Sequence, residues 1–207
     1  MKSWSDFYDL AMQDVPGCPL AAMDVALRQA AIFFCERSLA WKYRHPDIPV
    51  IPNTASYAFA PPTEAVVHAI VHAELDGRNM NFPGAEADKR IANWGDQTGT
   101  PVFILGSPAS SILAPVPNAS GVLTMTVALK PSSNAGGIDD SIFDEYRDAI
   151  IHGALARLML SPKKPYTNMQ LAQYHDQQFA IGIADAGMRA ARNYTRAPLR
   201  TRIMGRM

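Results

Sequence analysis

Three features of the chain predict an α+β fold: a helical bundle of three long helices with an inserted antiparallel β domain. Apolar residues recur at helical spacing through Leu20–Trp41, Ile142–Leu160 and Met169–Ala191. Between the first and second of these segments prolines cluster, and the apolar pattern changes to period two. Helices near both ends of a chain bury their stripes only by finding each other, which leaves the middle as an insertion on a helical base. The division this implies is residues 1–46 with 130–207 as a discontinuous helical domain ending in an arm, and 47–129 as the β domain.

The segment Ile142–Leu160 is the centre of that scheme. One of its faces carries Ile142, Tyr146, Ala149, Ile150 and Gly153, and another carries Phe143, Ile151, Leu155, Leu158 and Met159. Two stripes call for two neighbours, and the small Ala149 and Gly153 let a helix approach closely. Ser141 with Asp144 reads as a capping signal, and Asp139 and Asp140 suit the positive end of a helix. Pro162 and Pro165 end the segment.

Taken in order, Trp4–Met12 is a short amphipathic piece, and the Pro16-Gly17-Cys18-Pro19 turn leads into the first long helix, Leu20–Trp41. His45-Pro46, Ile48-Pro49, Ile51-Pro52 and Pro61-Pro62 then rule out helix, and Ile48–Ile51 and Ser56–Ala60 read as strands. Thr63–Leu75 has a composition that also tolerates helix. Its strict alternation, followed by Asp76-Gly77 and a return strand at Arg78–Phe82, favours a hairpin. Ala85–Trp94 reads as a short helix. Val102–Leu105, Ser111–Leu113 and Val122–Leu129 read as strands separated by Gly, Pro, Ser and Asn. Thr167 with Gln170 forms a capping box ahead of Met169–Ala191.

The totals exclude several functions. Lys and Arg number 19 against 19 Asp and Glu, so no net field draws the whole molecule to nucleic acid. The balance is uneven, because every charged residue from Gly187 onward is an arginine. Cys18 and Cys35 read as reduced thiols. The opening residues lack the apolar run of a signal peptide, and no run is long enough to span a bilayer. Phosphate-binding loops, a Gly-x-Ser-x-Gly elbow and a His-Glu-x-x-His motif are all missing. No cofactor is implied, and nothing in the motifs points to an enzyme.

Two groups of residues suggest contact with a partner. Lys163 and Lys164, held between prolines, form a basic turn that is either a solvated helix hairpin or a docking knob for an acidic surface. The second group is Arg189, Arg192, Tyr194, Arg196, Leu199, Arg200, Arg202, Ile203, Met204 and Arg206. Its readings are a disordered tail, a nucleic-acid contact, or a peptide that orders on a protein. The interleaved apolar residues favour the last, with arginines pairing to carboxylates around buried anchors. A metal-dependent enzyme built on His68, His72 and Glu74 is an alternative of a different class. That set is short of the four ligands zinc prefers.

A series of short motifs, in order and at consistent spacing, carries a family resemblance. Trp4-Ser5-Asp6-Phe7, Val15-Pro16-Gly17-Cys18-Pro19 and Ala26–Ala31 with Phe34–Ser38 and Trp41 open it. Tyr57 before Pro61-Pro62, Val71–Gly77, Gly99-Thr100-Pro101 and Leu129–Ser132 continue it. Gly153–Leu158, Lys164-Pro165-Tyr166 and Leu171-Ala172 close it. Together these resemble bacteriophage head-to-tail adaptor (connector, or neck) proteins, with an overall plan similar to the tail tubular protein A of short-tailed phages.

The resemblance implies a structural virion protein made in the host cytoplasm and placed at the head–tail junction. It further implies a homo-oligomeric ring, usually a dodecamer, below the portal protein. Packaged DNA would pass through its channel without sequence-specific binding, and no membrane would be involved. By the same resemblance Arg189–Met207 would engage the portal, and the β insertion would face a downstream tail or nozzle protein. A tail-completion or terminator protein, similar in location but bound to the tail tube, is the nearest alternative.

Overall fold

The three long helices of this protein begin where a side chain or a proline can cap them, and stop where the backbone turns left-handed or meets a proline. The computed structural model describes residues 1–83 and 97–195. The chain divides into two compact units, Met1–Ala40 with Pro131–Met207, and Trp41–Lys130.

In the first unit, a two-residue strand β1 (Lys2–Ser3) leads into a 3-10 turn (Trp4–Phe7) and helix α1 (Tyr8–Asp14). Ser3 and Asp6 form a reciprocal capping box at this start. Helix α2 (Leu20–Ser38) starts at Pro19, whose carbonyl accepts from the Ala22 and Met23 amides. It stops at Leu39, which adopts a left-handed φ of 52°. Trp41 therefore falls outside the helix expected to contain it and instead opens the second unit.

Helix α3 (Asp140–Met159) is capped by Asp139, whose carboxylate accepts from the Ser141 amide at 3.0 Å; the expected Ser141–Asp144 signal is not the cap. Helix α4 (Met169–Ala191) is capped by Asn168, which accepts from the amides of Gln170 and Leu171. Thr167, expected as the cap, is occupied one step earlier by the Ser161 carbonyl.

Helix α3 packs against both α2 and α4, which accounts for its two apolar faces. A Cβ built on Gly153 would lie 2.8 Å from the Phe179 ring, and one on Gly182 would lie 2.6 Å from the Ala149 methyl. Small residues thus set the α3–α4 spacing. Phe7 meets Phe143 edge-on at 4.8 Å, and Phe34 lies 5.1 Å from Tyr146. The Trp4 indole N–H donates to the Ala135 carbonyl at 2.7 Å, and β1 pairs with β11 (Gly137–Ile138). A Cβ at Gly137 would fall on the Lys2 carbonyl, so only glycine permits this staple.

The expectation of a bundle of three long helices is corrected by these facts. The protein is an α+β fold with four α-helices and several sheets among its described residues. The piece at Trp4–Met12 becomes a 3-10 turn and a helix because Trp4, Phe7 and Ala11 fill core that the longer helices leave uncovered.

The second unit holds a four-stranded sheet ordered β2 (Lys42–Val50), β10 (Gly121–Pro131), β4 (Ala65–Leu75), β5 (Arg78–Asn79). A three-stranded antiparallel sheet runs β3 (Ser56–Ala58), β8 (Ser110–Ala114), β7 (Phe103–Gly106), and β6 (Thr98–Gly99) pairs in parallel with β9 (Val116–Pro117). The ambiguous Thr63–Leu75 segment is a strand, with Ala73 and Leu75 buried on its inner face. Strand β2 begins six residues earlier than the expected Ile48, because proline is tolerated along an edge strand and β2 occupies the edge. The helix expected at Ala85–Trp94 lies outside the described residues.

Candidate partner-binding surfaces

The basic turn is a rigid display. Lys163 takes a left-handed φ of 59°, and both Lys163 and Lys164 are exposed. The Lys164 amide donates to the Thr167 hydroxyl at 3.0 Å, and that hydroxyl donates to the Ser161 carbonyl at 2.6 Å. The Asn168 amide closes the turn by donating to Met159. Tyr166 is buried beneath it, and burial raises the pKa of its phenol.

The first residues of the expected arm belong instead to the helical unit. Arg189 sits in the last turn of α4, where its charge suits the negative helix end, and its Nη2 lies 2.9 Å from Glu145 Oε2. Its guanidinium also stands 5.6 Å from the centres of both the Tyr146 and Tyr194 rings. Asn193 and Tyr194 reverse the chain with φ of 49° and 57°. The Tyr194 hydroxyl then reaches the Ala40 carbonyl at 3.3 Å and the Tyr146 hydroxyl at 3.4 Å. Burial, then the bond to Tyr194, raise the pKa of Tyr146. Arg192 follows the helix, and its carbonyl accepts from the Thr195 hydroxyl. Arg196, Leu199, Arg200, Arg202, Ile203, Met204 and Arg206 lie outside the described residues.

The structure does not bring the basic turn together with the described residues of the second group. Lys163 and Lys164 precede α4 and Arg192 follows it, so the length of that helix, about 35 Å at 1.5 Å per residue, separates them.

The metal alternative is not supported by the geometry of its residues. His72 Nε2 lies 3.0 Å from Glu74 Oε1 on the exposed side of β4, an ordinary pairing of strand neighbours. His68 instead lines a groove with Phe59, Ile70 and Pro108. Among the described residues, no group of three or more His, Cys, Asp or Glu is placed to hold a metal. Cys18 and Cys35 are free and buried, and burial raises the Cys35 thiol pKa.

Two features of the helical unit escaped the sequence reading. One is a groove of about 290 Å³ between α2, α3 and α4. Phe33, Gly153, Ala156, Ala172 and Phe179 make its floor, and Arg157, Leu160 and Asp176 stand along its rim. It has an opposite number on α4, a ridge of exposed apolar side chains: Leu171, Tyr174, Ile181 and Met188. Their spacing of three, seven and seven residues was the available signal. It was masked by the stronger inner stripe of Ala172, His175, Phe179, Ala186 and Ala190.

The other feature is a pair of imidazoles. His152 Nδ1 on α3 and His175 Nδ1 on α4 lie 2.7 Å apart, so one ring donates and the other accepts. Tyr174 meets the His152 ring edge-on. Desolvation lowers the pKa of both histidines, and each ring is opposed by nearby carboxylates, Asp148 and Asp14 for His152 and Asp14 for His175. Twenty-three residues separate the pair, so no local spacing announces it.

Nothing in this geometry assembles a catalytic centre among the described residues; what it offers is surface. No described helix is long and apolar enough to cross a membrane. Residues 4–202 match the family model described as SU10 adaptor protein. No curated protein matches the chain significantly.

Proposed function

The chain belongs to the SU10 adaptor protein family, a family of phage head-to-tail adaptors, and from that premise we propose how its parts share the work of joining head to tail. The protein is a structural component of the virion at the head–tail junction. In our reading, copies assemble into a ring, a dodecamer, below the portal, and the ring continues the channel through which DNA passes. The likeness in plan to tail tubular protein A belongs to the same reading. The helical unit engages the portal through the arginine-rich segment, and the β unit offers a platform to the next tail component.

The match over residues 4–202 carries this reading. The latch at Arg189 and Tyr194 supports the assignment of the arm. It ties the end of α4 to Glu145, Tyr146 and Ala40, so that whatever follows Thr195 leaves from a fixed point. Arginines beyond that point suit bidentate pairing with acidic residues of a partner.

Truncation after Thr195 tests the arm while keeping the latch. Native mass spectrometry of the full chain and the truncated chain with purified portal protein should show complexes only for the full chain. Equal binding by the truncated chain would remove the arm from portal recognition and leave the family assignment untouched.

A further inference from the structure

The α4 ridge and the groove beside it lie on opposite sides of one helix. At 100° per residue, Ile181 on the ridge stands roughly 180° around α4 from Ala172 in the groove floor. Ile181 is 54% exposed and Tyr174 50%, a large apolar outlay for a surface meant to stay wet. No described residue fills the groove, whose floor is aromatic and small-residue surface of the kind that receives such side chains.

The charges also correspond. Arg157 and Asp176 stand on the groove rim, Arg157 donates to Gln29 Oε1 at 3.3 Å and makes no ion pair among the described residues, and Asp185 interrupts the ridge between Ile181 and Met188. Asp185 makes no ion pair among the described residues.

We propose that the groove receives the α4 ridge of a second copy of this chain, with Asp185 of one copy facing Arg157 of the next. The inference rests on the reading of the protein as self-assembling, and specifies which surfaces meet. A ridge-into-groove contact is heterologous: each copy uses one surface to give and another to receive. Repetition of such a contact closes into a ring or runs on as a filament, according to the rotation between neighbours. A self-complementary contact, ridge on ridge, would stop at a dimer.

Two exposed-site variants of the full chain separate these cases. Ile181→Glu disables the ridge and leaves the groove intact. Arg157→Glu with Leu160→Glu disables the groove and leaves the ridge intact. Circular dichroism and melting curves confirm that both stay folded, as their exposed positions predict.

In sedimentation velocity over a wide concentration range, the unmodified chain should self-associate. Each variant alone should stay monomeric, with association weakened at least tenfold, and their mixture should stop at a one-to-one dimer. Combining Arg157→Glu with Asp185→Arg should restore association that either change alone reduces.

Four results would overturn the proposal: an unmodified chain that stays monomeric at every concentration, a variant that associates like the unmodified chain, a mixture that stays monomeric, or failure of the charge swap to rescue. The ring reading fails separately. If the mixture dimerises but the unmodified chain forms only open chains, the contact stands and the ring does not. If closed rings persist in Ile181→Glu, the ring stands and this contact does not.

Discussion

The two units of this protein are held by different means. In the helical unit, specificity comes from volume: Gly153 against Phe179, Gly182 against Ala149, and aromatic contacts of Phe7 with Phe143 and of Phe34 with Tyr146 and Phe179. In the β unit it comes from polar side chains that pin loops to the sheets. The buried His45 ring donates from Nδ1 to the Pro46 carbonyl and accepts the Ala60 amide at Nε2, both at 2.7 Å. The Tyr57 hydroxyl donates to the Thr54 carbonyl at 2.7 Å and accepts the Ile51 amide at 3.1 Å. Asp76 accepts the Val122 amide at 2.8 Å beside Gly121, where a Cβ would fall 2.5 Å from its other carboxylate oxygen. The lesson is that added atoms should injure the helical unit, and removed polar atoms the β unit.

The strongest way to break the comparison is to enlarge Gly153. In Gly153→Leu the new Cβ alone meets three atoms of the Phe179 ring at 2.8 to 2.9 Å, on a ring that also stacks against Phe34. Overpacking of this kind should cost about 3 kcal/mol and lower the melting temperature by about 6–12 °C. The same change narrows the groove floor, so self-association should fall with it. An unchanged melting temperature would mean that α3 and α4 can separate freely, and the volume-based account of the helical unit would be wrong.

The matching change in the β unit removes polar atoms instead. His45→Leu preserves apolar bulk next to Phe59 and strands the Ala60 amide and the Pro46 carbonyl. Both partner residues are exposed, so water can take up the freed groups, and losing the two bonds should cost about 1 kcal/mol. Urea melts followed by Tyr and Trp fluorescence should show the loss, and amide exchange should accelerate at Ala60. If His45→Leu is as stable as the parent, the pins are ornamental, and packing holds the β unit as it holds the helices.

How much of this was legible in the sequence follows the same divide. Met169–Ala191 was readable to the residue, and Ile142–Leu160 nearly so, because apolar periodicity over several turns is a repeated signal. The strand at Ala65–Leu75 was readable because alternation and the Asp76-Gly77 turn agree. Two-residue strands such as β1, β6, β9 and β11 carry no periodicity at all, and only long-range pairing defines them. Capping residues were misplaced by one or two positions, since Ser141 and Thr167 have the chemistry of caps but Asp139 and Asn168 hold the right backbone positions.

The candidate surfaces divide likewise. The basic turn was visible as lysines between prolines. By contrast, the latch role of Arg189 and Tyr194 depends on Glu145, Tyr146 and Ala40, far away in the chain. The groove joins three helices, so no single stretch of sequence contains it.

The histidine pair sharpens the comparison most gently, because it places a polar pin inside the unit governed by volume. Both rings have pKa values lowered in the folded state, chiefly by desolvation, while the unfolded imidazole titrates at about 6.5. Below that value the unfolded chain binds more protons than the folded one, so stability falls as pH falls through 6.5 toward the folded values and is complete above it. Asp148 and Asp14 oppose the shift, and His152 is only partly buried, so the effect should be smaller than either substitution above. Melting of the full chain at pH 7.5, 6.5 and 5.5 should show a progressive loss. His152→Gln should flatten it, because it removes one titrating ring and, with it, the neighbouring imidazole that helps hold the His175 pKa down. An acid loss equal in the variant and the parent would assign the pH dependence to groups elsewhere, and would leave the helical unit governed by volume alone.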